Sequence, residues 1–172
     1  DGVKLQTSKN ENSIYSQIIP KKEIKKSDIK SKKSVDNKFI YYIEMPLVVN
    51  SVKKLAKLQV DRVKKYANKY DIPTEYIMAI IHTESCFKVP IGISTAGAIG
   101  LMQLVPSTGG QDAYRRLTGI NKAPSFKYLS NSDNNIELGT LYISIIQNGY
   151  LKGVNRKDSL HLATSTSYNA GI

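Results

Sequence analysis

From Ser51 onward the apolar positions take on helical spacing. Val52, Leu55, Leu58, Val63, Tyr66 and Tyr70 share one face, and Lys and Arg fill the other. The pattern predicts an amphipathic helix over 51–70, broken by Asp71-Ile72-Pro73. Pro73 and Thr74 suit the first turn of a second helix that runs toward Phe87. Its centre, residues 76–81, is apolar on every side, which predicts a buried helix. Gly92, Gly97 and Gly100 then mark a loop. Residues 101–105 read as a helix start or a turn, residues 106–110 as punctuation, and 111–117 as a helix. Asn134 and Glu137 have the spacing of a capping box. The helix it would open carries Ile136, Leu138, Leu141, Tyr142, Ile145 and Ile146, and a turn is expected at Gly149 and Gly153. A last helix is expected over 159–168.

Upstream of Ser51 the pattern differs. Residues 1–38 are polar and Lys-rich, with KKEIKK and SKKS blocks and no sustained periodicity. Residues 39–45 are rich in strand formers, and Pro46 is expected to end the strand. A lone strand must pair with something. The expected division is a basic linker, or the remnant of an upstream domain, over 1–46, and a mainly α domain over 47–172. The fold class is therefore mainly α with a short N-terminal extended segment. No internal repeat is visible.

The 172 residues are 41% hydrophobic, enough for a real core, but no stretch approaches the ~20 apolar residues of a membrane-spanning helix. Without an initiator Met or a signal segment, the chain reads as a processed form whose targeting or lipid-anchoring signal lies outside it. Cys86 is the single cysteine, so an internal disulfide is impossible. His82 and His161 are far apart, and no zinc-ligand spacing exists, so neither a metal nor a cofactor is expected. The net charge of +11 suits polyanions of any kind or simply a solvated surface. The Lys residues are not interleaved with aromatics, and no nucleic-acid module is present, so nucleic acid is not the expected partner.

Glu84 is the candidate for chemistry. It follows the apolar segment 76–81 on the predicted buried helix, where lost hydration raises a carboxyl pKa. A neutral carboxylic acid near pH 7 is what protonation of a glycosidic oxygen requires. On spacing alone, a solvated Glu at a helix end remains the alternative. The surrounding motifs shift the balance. Glu84-Ser85-Cys86-Phe87 is followed by Ser94-Thr-Ala-Gly-Ala-Ile-Gly-Leu-Met-Gln103, then by Asn135-Ile136 with Gly139 and Tyr142, and finally by Ser167-Tyr168-Asn169-Ala170-Gly171. In type and order this set resembles the lytic transglycosylases of the soluble-transglycosylase (goose-lysozyme-like) superfamily, over about residues 41–172. Residues 41–46 (YYIEMP), the break at 71–73, residues 108–112 (TGGQD) and residues 150–153 (YLKG) look like its membrane-bound lytic murein transglycosylase C group. There a separate domain precedes the catalytic one.

The resemblance implies a lysozyme-like fold that cleaves the MurNAc–GlcNAc β-1,4 bond of peptidoglycan without water. It makes Glu84 the sole acid/base. Glu84 would protonate the leaving oxygen and then take a proton from the C6 hydroxyl, closing a 1,6-anhydro ring, with the substrate's N-acetyl group as internal nucleophile. Ordinary glycosidases need a second carboxylate, and no other acid of this chain lies in a family motif. Ser85, Met102, Gln103, Tyr142, Tyr168 and Asn169 are the implied substrate-binding residues. Read by themselves, Met102 and Tyr142 could equally be core, and Ser85 a helix-end cap. Two departures stand out. Ser167 replaces an Ala, and the chain stops at Ile172 where relatives continue, so its C-terminal end is expected to be truncated. The alternatives are a lysozyme-type hydrolase of the same fold and a catalytically impaired glycan-binding module. The implied partner is the peptidoglycan glycan strand. The implied location is the periplasm, with outer-membrane attachment through a segment outside this chain, and the implied state is a monomer.

Overall fold

The computed structural model describes residues 29–33, 39–43, 50–89 and 93–170. The chain divides into two compact units, up to Lys54 and from Leu55. In the first, the strand-forming segment does find a partner. β1 (Ile29–Lys33) and β2 (Phe39–Ile43) pair antiparallel, with Ile29 opposite Ile43 and Lys33 opposite Phe39. β1 comes from the stretch read as linker. Pro46, expected to stop β2, lies outside the described residues, as does Gly92.

The second unit is mainly helical. The helix expected over 51–70 is two helices, α1 (Ser51–Lys57) and α2 (Val60–Tyr70). Between them Leu58 and Gln59 donate backbone bonds three residues back, to Leu55 and Ala56. Such tightening ends a helix even where the apolar spacing continues. Gln59 is buried there and accepts from Arg62 at 3.1 Å. α2 stops at Asp71, whose left-handed φ of 54° sends its N–H to the Ala67 carbonyl. Pro73 then caps α3 (Thr74–Ser85). α3 is not buried all round, as its sequence suggested. Ile77, Ile80 and Ile81 are buried, while Ala79, His82 and Thr83 are exposed. Its apolar run is wider than the face that packs.

α4 (Gly109–Thr118) starts earlier than expected, at the glycine pair. α5 (Phe126–Leu129), a single turn too short to show periodicity, was not anticipated. It is capped by Ser125, whose Oγ accepts from the Tyr128 amide. α6 (Ser132–Ile145) is the central helix, burying Ile136, Leu138, Leu141 and Ile143. Its cap is Asn131, not Asn134. The Asn131 side chain accepts from the amides of Asp133 and Asn134. Glu137, the other half of the expected box, instead holds Lys69 of α2 at 2.7 Å. Beside it, Tyr66 donates to Asp133 at 2.6 Å. These contacts fasten α2 to α6. A π-helical segment, Ile146–Tyr150, continues α6 where a plain turn was expected at Gly149. α7 (Lys157–Ala170) closes the described chain. The core around α6 gathers Ile99, Leu104, Ala113, Leu129, Leu138 and Tyr142.

Candidate active site

Glu84 occupies the last turn of α3, just before the chain turns sharply through Cys86 and Phe87, both at positive φ. Phe87 is buried and anchors that turn. Glu84 lines a cleft of about 430 Å³ with Ser94, Gln103, Tyr142, Tyr168 and Asn169. It is half-buried, and burial pushes its carboxyl pKa up. The physical cause is desolvation of the charged form. Among the described residues it has no hydrogen-bond or ion-pair partner to offset that cost. Among the described residues it is also the only acid that lines the cleft.

The opposite wall is a tight turn over 99–104. Ile99 and Leu104 exchange backbone hydrogen bonds in an isolated antiparallel bridge. Gln103 closes the turn with φ of 45°, and its Nε2 donates to the Gly100 carbonyl at 2.8 Å. Gly100 is required here. Its φ is +80°, and a Cβ would collide with the Asn135 amide and lie 2.7 Å from the Leu129 carbonyl. Asn135, fully buried on α6, holds the turn in place. Its Oδ1 accepts from the Met102 amide at 2.8 Å, and its Nδ2 donates to the carbonyls of Ile99 and Leu129, each at 3.0 Å. A buried amide with its donors and acceptor this well matched fixes one geometry.

α7 supplies the third wall. Tyr168 is partly buried and donates to the Met102 carbonyl at 2.6 Å. Its ring centroid lies 5.5 Å from that of Tyr142. The Tyr168 pKa is pushed well up, first by burial and next by the charge of Glu84, so the phenol stays protonated and stays a donor. Two turns upstream of Glu84, Tyr76 bonds the His161 carbonyl at 3.0 Å and the Ser165 hydroxyl at 2.8 Å. Its ring stacks on His161 at 4.6 Å. The helix carrying Glu84 and the helix carrying Tyr168 are thus pinned together.

The anticipated site residues divide. Glu84, Gln103, Tyr142, Tyr168 and Asn169 converge on the cleft. Met102 and Ser85 do not line it. The Met102 side chain has no exposed surface and packs against Gly139, so it offers no face to a sugar. The Ser85 hydroxyl bonds back to the Ile81 carbonyl at 3.0 Å, within its own helix. The sequence reading gave no role to Ser94, Thr108 or Gly109, which also line the cleft, and none to Asn135 as the clamp beneath it. No group of three or more His, Cys, Asp or Glu able to hold a metal occurs among the described residues. Nor is any helix of those residues long and apolar enough to cross a membrane.

The family model of the transglycosylase SLT domain matches residues 61–172, a span that contains every wall of this cleft. The chain belongs to the transglycosylase SLT domain family. The chain is similar to membrane-bound lytic murein transglycosylase C of Histophilus somni (strain 2336), at 40% identity over 132 residues. It is 41% identical over 132 residues to the protein of the same name from Yersinia pestis (strain Pestoides F). Each match covers 77% of this chain and 36% of the relative, so the chain spans about a third of their length. Among solved structures, the 70-kDa soluble lytic transglycosylase in complex with bulgecin A superposes with a TM-score of 0.54 at 31% identity. That match covers 71% of this chain and 18% of the other. The lytic transglycosylase Slt from Pseudomonas aeruginosa, solved as an inactive glutamate-to-glutamine mutant, gives 0.52 at 25% identity over 70% of this chain and 20% of its own. The SLT domain is thus mainly helical, as its sequence pattern implied, and lysozyme-like, as the resemblance implied.

Proposed function

We propose that this SLT domain is the catalytic part of a peptidoglycan lytic transglycosylase in which Glu84 acts as both acid and base. The observation that carries this reading is a desolvated carboxyl that, among the described residues, is unpaired and lines a cleft with no second acid. A raised pKa keeps the proton available for the glycosidic oxygen between N-acetylmuramic acid and N-acetylglucosamine. As that bond breaks, the carbonyl oxygen of the substrate's N-acetyl group bonds to C1 and holds the positive charge. The Glu84 carboxylate then takes the proton of the C6 hydroxyl. O6 attacks C1, the N-acetyl oxygen leaves, and a 1,6-anhydro end forms with no water consumed. Glu84 ends protonated, ready for the next cycle. A pair of carboxylates, needed when water or an enzyme nucleophile attacks, has no role in this scheme. A solved relative is inactive with one glutamate changed to glutamine, which supports dependence on a glutamate.

Gln103, Tyr142, Tyr168 and Asn169 contact the glycan in this scheme, Tyr168 also facing the charge of Glu84. Met102 and Ser85 serve it indirectly, through the turn and the end of α3. The enzyme acts as a monomer on glycan strands in the periplasm, held at the outer membrane by a segment outside this chain. Residues 1–46 are a basic linker or the remnant of an upstream domain, and 47–172 are the catalytic domain. Digestion of purified sacculi followed by mass spectrometry tests the reaction. Anhydro-muropeptides are expected, and their loss with Glu84→Gln. Products heavier by one water would assign a hydrolase instead. Binding without any product would assign a glycan-binding module.

A further inference from the structure

Helix α7 walls the Glu84 cleft but buries little of itself. Thr164 is its one buried residue, and Leu162 is 72% exposed. A helix with so small a buried face gains little from packing, so its polar contacts decide where it sits. Two phenols hold it. Near its C-terminal end, Tyr168 donates to the Met102 carbonyl at 2.6 Å. Further back, Tyr76 of α3 donates to the His161 carbonyl at 3.0 Å and shares a 2.8 Å hydrogen bond with the Ser165 hydroxyl. That hydroxyl also bonds the His161 carbonyl at 3.0 Å, so three oxygens form a small network. The Tyr76 and His161 rings stack with planes 18° apart. Tyr76 is half-buried, and burial pushes its pKa up, so the phenol stays a donor.

This network is joined to the cleft by both helices. His161, Ser165 and Tyr168 follow at intervals of four and three residues, so they share one face of α7. Tyr76 and Glu84 are separated by a rise of about 12 Å along α3, and His161 and Tyr168 by about 10 Å along α7. The two helices therefore keep step, with the Tyr76 network at one end and Glu84 beside Tyr168 and Asn169 at the other. We propose that Tyr76 is a positioning residue of the cleft: by fixing α7 against α3 it sets how closely Tyr168 and Asn169 cover Glu84. The proposal rests on the acid role of Glu84 given above. Tyr76 does not line the cleft, so its effect passes through α7. Once the network is broken, water reaches Glu84, its desolvation falls, and the carboxyl loses its proton at lower pH. The titratable groups that line the cleft with Glu84 are Tyr142 of α6 and Tyr168 of α7. The turn over 99–104 and the start of α4 bring Gln103, Thr108 and Gly109, none of which titrates.

The test uses Tyr76→Phe, which keeps the ring and its stack on His161 and removes only the hydrogen bonds. Tyr66→Phe is the control. It removes a phenol bond of 2.6 Å to Asp133, between α2 and α6, and touches no wall of the cleft. On glycan strands, Tyr76→Phe is expected to lower kcat about tenfold. The alkaline limb of its pH–rate profile should move to lower pH by about half a unit or more. Tyr66→Phe should lose stability and keep the parent profile. A second arm needs no turnover. The Glu84 carboxyl carbon is titrated by NMR in the parent and in both variants. Its midpoint should fall in Tyr76→Phe alone, and this arm decides the proposal even if Glu84→Gln proves active and the acid role fails. A lowered midpoint with an unchanged pH–rate profile supports the positioning by Tyr76 and counts against the acid role of Glu84. An unchanged midpoint in Tyr76→Phe, or an equal fall in Tyr66→Phe, overturns the proposal.

Discussion

The Tyr168 hydroxyl donates a 2.6 Å hydrogen bond to the main-chain carbonyl of Met102. It ties the last described helix to the turn that forms another wall of the cleft, so Tyr168 holds two walls together. Tyr168→Phe keeps the ring and its contact with Tyr142 but orphans the Met102 carbonyl. A buried acceptor left unpaired costs about 1–3 kcal/mol. Urea unfolding should show a loss of that size, together with a higher KM for glycan. Equal stability and KM in the two proteins would mean that the bond does not hold the cleft together.

Glu84 carries a desolvation cost that function would justify. Its folded pKa lies above its ordinary value, so between the unfolded and folded pKa the native state binds more protons than the unfolded one. Stability therefore falls as pH rises through that window. Glu84→Gln removes the penalty. The variant should be inactive yet melt higher than the parent at pH 7, with the gap closing once pH drops below the ordinary carboxylate range. Activity of the parent should fall on the alkaline side as Glu84 loses its proton. Melting curves at several pH values, set against a pH–rate profile, check both. A variant that melts lower than the parent at neutral pH would contradict the sign.

Asn135 is expected to be the most sensitive polar position of the domain. Its three hydrogen bonds serve the turn over 99–104 and the end of α5. Asn135→Ala strands the Met102 amide and two carbonyls in the core, and should cost roughly 3 kcal/mol or more. Asn135→Asp is no rescue, because a carboxylate cannot donate to the carbonyls of Ile99 and Leu129. Denaturant titration of both variants should find the aspartate at least as damaging as the alanine.

Helix positions, and the place of Glu84 at the end of one, were legible in the sequence because both rest on repeated or local signals. The apolar rows of α2 and α6 report their packing faces directly, and α7 was visible by the same rule. What escaped depends on contacts distant in sequence. Asn134 was the expected cap, but Asn131 takes that place, and Glu137 is held by Lys69 across 68 residues. The run 76–81 looked buried on all sides because hydropathy counts residues and not neighbours. Asn135 read as a motif residue, and its work became visible only when the turn folded over it, 33 residues away at Met102. A charged groove joins α2, α4 and the π segment, and no local pattern announces it.

Met102 marks the boundary between the two kinds of knowledge. A methionine in a glycan-cleft motif invites the reading that its thioether packs on a sugar. Here the side chain is fully buried, and a Cβ on Gly139 would overlap its sulfur and stand 2.9 Å from its Cβ. The pair behaves as knob and hole. Met102→Ala should cost about 2–5 kcal/mol by leaving a cavity. Gly139→Ala should cost about 1–3 kcal/mol by overpacking, because the Met102 Cβ, unlike its sulfur, cannot swing away. In the double variant the alanine at 139 fills part of the hole that Met102→Ala leaves. The two costs should then fall short of additive by at least 1 kcal/mol, the mark of residues in direct contact. Unfolding of the four proteins in urea closes the cycle. Strict additivity would place Met102 away from Gly139 and return it to the sugar surface.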